Sequence, residues 1–178
     1  SMRLTMVGRL DEAERHRALA EAAGARVDSF NAAILAVSSR WIALAEAGRF
    51  AEGHAVLAAF AERLGPLTPD MEVGIALAQA QAGRCDAARG RLDAVAPLLP
   101  GLPVGSEWPP VLVQVAELVT LVGGHQVAEW AYAALLPHRG RHGVDGIGAY
   151  GYGILERPLG LLAAALGHSD TARAHLEA

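Results

Sequence analysis

The sequence predicts an all-α fold, a right-handed stack of about nine to ten helices arranged as antiparallel pairs. A short phrase that begins with glycine recurs five times, at Gly8, Gly48, Gly83, Gly123 and Gly167. Between these glycines, apolar residues recur every three or four positions, which is the period of a helix face. The composition is 52% hydrophobic but only 5% aromatic. No segment alternates apolar and polar residues long enough to predict a strand.

Each copy of the phrase is expected to lie where one helix ends and the next begins. Its glycine tolerates the left-handed conformation that closes a helix. The apolar residue two positions later, Leu10, Phe50 or Cys85, is expected to pack between the two helices. Acidic residues then follow in the first turn of the second helix, where the helix dipole favours negative charge. A small residue closes every copy and allows close helix packing: Ala13, Gly53, Ala88, Ala128 and Ala172.

The first half of the chain is expected to hold five helices. The first phrase places a helix over 10–23, and an apolar stripe from Phe30 to Leu44 predicts its successor. The next helix is expected over 50–64, ended by Gly65 and Pro66. Thr68 as N-cap and Pro69 as first helical residue start a helix over 69–82, and the third phrase starts another over 85–96.

The second half begins with a proline-rich segment over 97–110, predicted to be a loop and the place where the domain could divide. A mostly apolar helix follows over 111–122, and its partner over 126–136. The stretch over 137–153 carries six glycines from Gly140 onwards and is expected to be a loop. The last pair is expected from Ile154 onwards.

One helical domain is therefore predicted over 1–178. Both ends are expected to cut through a repeat of the pattern, although an array normally ends in polar capping repeats. We therefore expect a fragment of a longer protein, whose truncated ends favour self-association.

The phrase resembles the turn of the tetratricopeptide repeat family, which reads Gly-x-aromatic-x-x-Ala with a small residue seven positions before the glycine. Those earlier positions hold Ala76, Ala116 and Gly160 here, whereas the second repeat has Trp41. The five glycines are 40, 35, 40 and 44 residues apart, which exceeds the usual period of about 34 in that family. The array is therefore identified as a degenerate one.

The resemblance implies that the first helices of the pairs line a concave groove that binds a partner. The family's register places these residues in the groove: Ser38, Ile42, Val73, Leu77, Gln81, Val113, Glu117, Arg157 and Leu161. Such a surface is mostly apolar, which suits an apolar peptide, a neighbouring helix or a small ligand. Tyr150 and Tyr152 in the glycine-rich stretch, and Trp108 in the proline-rich one, are candidate aromatic anchors for a partner. The alternative is that they pack under their own loops.

The segment from Glu129 to Ala178 resembles a second, more particular group. The run from Tyr132 to Pro137, the glycine-rich stretch and the run from Arg157 to Gly167 are similar to the C-terminal helical repeats of large actinobacterial signalling proteins. Those proteins join an NTPase core to a LuxR-type DNA-binding domain or a nucleotide cyclase. The resemblance implies a non-catalytic arm for protein–protein interaction or intramolecular regulation, with a protein, a peptide or another domain of the same chain as partner.

A second hypothesis is a small-molecule sensor whose pocket is closed by the 140–153 loop. An enzyme is not expected, because no nucleophile, base and acid have the spacing of a catalytic set. The Gly146 to Gly151 run matches a dinucleotide pattern but has no preceding strand. His138 and His142 lie four apart without a third ligand, and Cys85 is interpreted as a core residue. No catalytic residue, cofactor or metal is therefore expected.

The composition excludes further classes of partner and of chemistry. All 15 basic residues are arginine and the net charge is −4, so a basic stripe for nucleic acid is not expected. The absence of lysine excludes Walker-type phosphate binding and Schiff-base chemistry. No apolar run is long enough for a membrane span. A single cysteine is typical of the reducing cytoplasm, which is the predicted location.

Overall fold

The computed structural model describes residues 2–27, 30–106, 108–144 and 150–178. These residues form ten α-helices, two short 3₁₀ helices and one two-stranded sheet. The α-helices are α1 Met2–Met6, α2 Leu10–Gly24, α3 Phe30–Glu46, α4 Phe50–Leu64, α5 Pro69–Gln81, α6 Cys85–Val95, α7 Trp108–Val122, α8 His125–Leu135, α9 Glu156–Ala165 and α10 Ser169–Leu176. The 3₁₀ helices are Ala96–Gly101 and Leu136–His138. This mostly helical fold confirms the all-α prediction.

Consecutive helices pack as pairs, α3 with α4, α5 with α6, α7 with α8 and α9 with α10. Because each pair is joined by a tight turn, its two helices run antiparallel. The first helices of the later pairs also contact one another, α5 with α7 and α7 with α9. A right-handed superhelical stack stays a prediction, as does the domain division over 97–110.

The five predicted turns all close through a left-handed glycine. The φ angles of Gly8, Gly48, Gly83, Gly123 and Gly167 lie between 70° and 80°. In four of the turns the amide after the glycine donates to a carbonyl five residues back, and the glycine's own amide donates three residues back. This pattern is the Schellman motif, whereas Gly123 donates to the Val119 carbonyl four residues back and closes the simpler variant. The helix–turn–helix phrase is therefore confirmed at the backbone.

The small residue that closes each phrase is buried, as predicted, at Ala13, Gly53, Ala88, Ala128 and Ala172. The second pair shows why its small residue is a glycine. A Cβ at Gly53 would lie 3.2 Å from Cδ1 of Trp41, the residue that departs from the pattern on the facing helix. The large side chain on α3 is thus accommodated by the missing side chain on α4.

The apolar residue two positions after each glycine does not pack between the helices. Leu10 is 44% exposed, Phe50 is 38% exposed, and Cys85 is exposed. The core interpretation of Cys85 is therefore wrong. Each of these residues is the first residue of its helix. Because helical side chains tilt towards the N-terminus, a side chain at that position extends beyond the helix end and remains at the surface.

The glycine-rich stretch over 137–153 is not simply a loop. It contains a 3₁₀ turn and part of an antiparallel hairpin, β1 His142–Val144 and β2 Gly151–Ile154. Its register is irregular between Gly143 and Val144. A Cβ at Gly143 would lie 2.9 Å from Cδ2 of Leu155, so a larger residue there would displace the end of that side chain. The hairpin contacts α7 through β1.

The core lies mainly between α5 and α9. Seven residues of α5 and eight of α7 are buried, whereas α3 has no buried residue among those described. Trp108, predicted in a loop, is the first residue of α7, packs against the core and makes an edge-to-face contact with His138. The apolar stripe of α3 is therefore only half-buried, and its packing defines the site described next.

Candidate binding groove and adjoining cavity

Most of the predicted groove residues lie together. Eight of the eleven line one open recess of about 540 Å³, here called the groove. They come from α3, α5, α7 and α9 and from residues just before and within β2: Ile42, Leu77, Gln81, Val113, Glu117, Arg157, Tyr150 and Tyr152. Residues from distant parts of the chain therefore form one contiguous surface.

The other three predicted residues lie elsewhere. Val73 is completely buried in the core, so it cannot contact a partner. It was expected at the groove because the family register places it there, but Val73 to Ala78 are all buried. Leu161 is partly buried and packs against the core. Ser38 lines a separate cavity beside the groove.

An ion pair bridges the groove between α7 and α9. Nη1 of Arg157 donates to Oε1 of Glu117 at 2.8 Å. The Arg157 side chain is 56% exposed and that of Glu117 is 30% exposed, so both can exchange water for a partner group. Because the pair is open to solvent, its contribution to stability is small. Its charges serve better to orient a partner than to hold the fold together.

Tyr150 ties the segment before β2 to α3 on the other side of the groove. Its hydroxyl donates a hydrogen bond to Oε1 of Glu46, and its ring meets that of Tyr152 edge to face at 5.0 Å. Burial, followed by the bond to Glu46, raises the pKa of the Tyr150 phenol well above its usual range. Tyr150 is therefore protonated at physiological pH and acts as a donor across the groove.

A second, partly enclosed cavity of about 200 Å³ adjoins the groove. It lies between α3, α4, α5 and α7, with Tyr152 at one side. Its lining is largely apolar, and representative side chains are Ile34, Ile42, Leu57, Phe60, Ile75 and Val111. Four polar residues also line it: Ser38, Ser39, Asp70 and Gln114.

The cavity and the groove share a wall made by Trp41, Ile42, Gln114 and Tyr152, which line both. Gln114 has an unusual position in this wall. Its Oε1 is buried, and it has no hydrogen-bond partner in the part of the chain that the structure describes. Gly74 faces it, and a Cβ there would lie 3.3 Å from Oε1. A buried acceptor without a partner is costly, so this oxygen is a natural contact point for a ligand.

Sequence reasoning missed Gln114 and Glu46 as site residues. Gln114 is one of three polar residues in the otherwise apolar stretch over 111–122, a pattern that predicts a mostly buried helix but not a cavity. Glu46 lies 104 residues from Tyr150 in the chain. That separation offers no local signal, because the contact depends on how the hairpin folds back over α3.

A second polar cluster, also missed, joins the last three helices. Oε2 of Glu156 lies 2.5 Å from Nδ1 of His175, and Nε2 of that ring lies 3.0 Å from the hydroxyl of Tyr132. The side chains of Glu156 and His175 are each only 12% exposed. The carboxylate–imidazole–phenol chain ties α8, α9 and α10 together. Buried polar groups need hydrogen-bond partners, and these three side chains supply them to one another.

The structure adds no support for the other candidate sites named from the sequence. Residues 146–149 of the glycine pattern lie outside the described residues, so that candidate has no structural account. Among the residues that are described, no three His, Cys, Asp or Glu side chains cluster as metal ligands. Within the same ranges, no helix combines the length and apolar character needed to cross a bilayer.

Comparison of the chain with protein-family models, curated proteins and solved structures finds no match. The candidate function therefore depends on the residues of the groove and the cavity.

Proposed function

We propose that this chain is a non-catalytic binding module, a degenerate tetratricopeptide-like array that acts in protein–protein interaction or intramolecular regulation. Its setting would be a cytoplasmic bacterial signalling protein or transcription regulator. The partner is a protein or peptide segment, including one from another domain of the same parent chain. The single observation that carries the proposal is the groove, where four successive first helices and the tyrosine segment contribute to one recess.

The chemistry of the groove suits a peptide. Leu77 and Val113, almost completely buried, underlie the groove floor, and the half-buried side chains of Trp41 and Ile42 present its apolar surface. A partner's apolar side chain would displace water from that surface. Gln81, Glu117 and Arg157 offer polar groups around that floor. An apolar centre with a polar rim is the usual composition of a protein interface. The paired charges fix the orientation of the partner more than its affinity.

A photo-crosslinking amino acid at Gln81, expressed in the native host, would identify the segment that enters the groove. The same probe at Ala133, which is exposed on α8, is the control position. The affinity of the identified segment would then be measured with purified variants. Arg157→Glu should weaken binding by about tenfold or more, because it reverses a rim charge and breaks the pair with Glu117.

Arg173→Glu is the matched control for that variant, since Arg173 is an exposed arginine that pairs with Asp170 on α10. It should leave the affinity unchanged. Equal affinities for wild type, Arg157→Glu and Arg173→Glu would exclude the groove as the interface. Tyr152→Ala is a poorer test, because Tyr152 packs against the core and its loss would also destabilise the fold.

The second candidate function is a small-molecule sensor, with the pocket closed by the 140–153 segment. The cavity beside Tyr152 favours it, since it is concave, mostly apolar and carries few polar groups, as ligand sites do. Mass spectrometry of small molecules extracted from protein purified from its host tests this function. A stoichiometric compound would support it, and its release should lower the melting temperature.

A further inference from the structure

We propose that the cavity between α3, α4, α5 and α7 binds a small apolar molecule of about one ring that carries a hydroxyl or N–H donor. The donor pairs with Oε1 of Gln114. This inference rests on the sensor function above and goes further by naming the class of ligand. Phenol and indole represent that class.

The volume sets the size of the ligand. The cavity measures about 200 Å³. For comparison, an engineered apolar cavity of about 150 Å³ in another protein binds benzene. The present cavity therefore accommodates a six-membered ring with a few further atoms. A nucleotide, a sugar chain or a peptide is too large for it.

The lining sets the polarity of the ligand. Side chains such as Ile34, Leu57 and Phe60 offer no hydrogen bonds to water, and the polar side chains on the α3–α4 side are Ser38 and Ser39 of α3. A water molecule needs two to four polar partners to be held in a cavity, so the apolar part of the lining favours an apolar ring over water. The ring of Trp41 lies in the wall and gives an aromatic ligand a face or edge to pack against.

The unpaired oxygen sets the polar group of the ligand. Oε1 of Gln114 is buried and accepts no hydrogen bond from the described residues. Gly74 lies beside this oxygen, and a Cβ there would be 3.3 Å from it. An amide oxygen only accepts, so its complement is a donor. A ligand with a hydroxyl or N–H group would satisfy it, whereas a purely hydrocarbon ligand would leave it unpaired.

The test compares phenol with toluene, which have nearly the same shape and differ by a hydroxyl in place of a methyl group. Each is titrated into the purified chain and followed by amide proton–nitrogen correlation spectra. Both should perturb residues around the cavity, and phenol should bind about tenfold more tightly. In Gln114→Leu, which removes the acceptor and keeps the apolar bulk, this preference should disappear or reverse.

Ala61→Leu extends a side chain into the cavity from α4 and should weaken both ligands at least about tenfold. Ala133→Leu makes the same change on the exposed face of α8 and should leave both affinities unchanged. The melting temperature of each variant shows whether it is folded before the titration is interpreted. The comparison of phenol with toluene on the wild type needs no variant at all.

The outcomes separate this inference from the function on which it rests. If neither compound perturbs the cavity residues at millimolar concentration, this inference fails, whereas the sensor function is decided separately by the mass spectrometry of extracted compounds. If both bind equally, or if the preference for phenol survives in Gln114→Leu, the cavity binds ligands but the class named here is wrong. Binding that Ala61→Leu does not weaken would place the ligand elsewhere and also overturn the inference.

Discussion

The turn phrase can be tested by making one substitution at two glycines. Gly83 closes α5 with φ of 79°, and its amide donates to the carbonyl of Ala80. Gly90 lies inside α6 and is not among the glycines with positive φ. A Cβ built at either position meets nothing within 4 Å. Gly83→Ala and Gly90→Ala therefore differ in backbone conformation and not in packing.

The size of the effect follows from that difference. Alanine in the left-handed conformation costs about 1–2 kcal/mol. Replacing glycine also removes freedom from the unfolded chain, which returns about 0.4–1 kcal/mol at both positions. Gly83→Ala should therefore destabilise the protein by about 1 kcal/mol, while Gly90→Ala should stabilise it by about 0.5–1 kcal/mol. The unfolded-state contribution cancels in the comparison, so the gap between the variants should be about 1–2 kcal/mol.

Urea unfolding followed by far-ultraviolet circular dichroism measures both free energies of unfolding. In a chain of this size the gap corresponds to a difference in melting temperature of about 3–6 °C. Shifts in the same direction for both variants would contradict the reasoning, since they would mean that Gly83 is not held left-handed. A Gly83→Ala variant with unchanged stability would also contradict the reasoning, because the turn between α5 and α6 is expected to depend on a left-handed Gly83.

Two further predictions concern packing and pH. Ala88 is completely buried on α6, so Ala88→Leu should lower the free energy of unfolding by about 1–3 kcal/mol. Ala87→Leu, at an exposed position of the same helix, should leave it nearly unchanged. Urea unfolding measures both. Tyr150→Phe removes the bond to Glu46 and should cost about 1 kcal/mol near neutral pH. Because folding raises the pKa of Tyr150 above its ordinary value of 10.0, its contribution is complete below pH 10 and falls as pH rises further. The free energies of unfolding of wild type and Tyr150→Phe should therefore converge in alkaline solution. A difference that stays constant as pH rises would contradict this dependence on the pKa of Tyr150.

The helices were predictable because their signals are local. A left-handed glycine marks each of the five turns, and an acidic first turn follows it in α2, α4, α6 and α10. The predicted range of 50–64 agrees with α4 as observed. Thr68 and Pro69 likewise placed the start of α5 correctly, although the Thr68 side chain makes no capping bond. Such signals depend on backbone conformation near one residue, and tertiary packing does not override them here.

The features that escaped prediction depend on distant contacts. The hairpin has no alternating pattern, and its strands are held by pairing across a bulge and by packing on Leu155 and α7. The burial of Val73 depends on how many helices surround α5. Glu156 and Tyr132 meet His175 from positions 19 and 43 residues away. None of these contacts leaves a periodic trace in the sequence.

Eight of the residues predicted for the groove share one recess. A pocket was expected at the 140–153 segment, but the sequence did not predict the position or the lining of the cavity between α3, α4, α5 and α7. A cavity is a deficit in packing, which depends on the summed volumes of side chains from four helices. The stripe of α3 matches a buried helix in sequence, yet none of its described residues is buried, because the space it faces remains partly unfilled.

The shared wall makes the two proposed functions interdependent. Tyr152 and Gln114 contact the cavity on one side and the groove on the other. A ligand that packs against Tyr152 favours one placement of that ring, and so favours or disfavours the groove shape that a partner requires. By thermodynamic linkage, if the ligand changes the partner's affinity by some factor, the partner changes the ligand's affinity by the same factor. The partner's affinity measured with and without phenol would therefore report this coupling. An unchanged affinity at saturating phenol would show that the two sites, although adjacent, act independently.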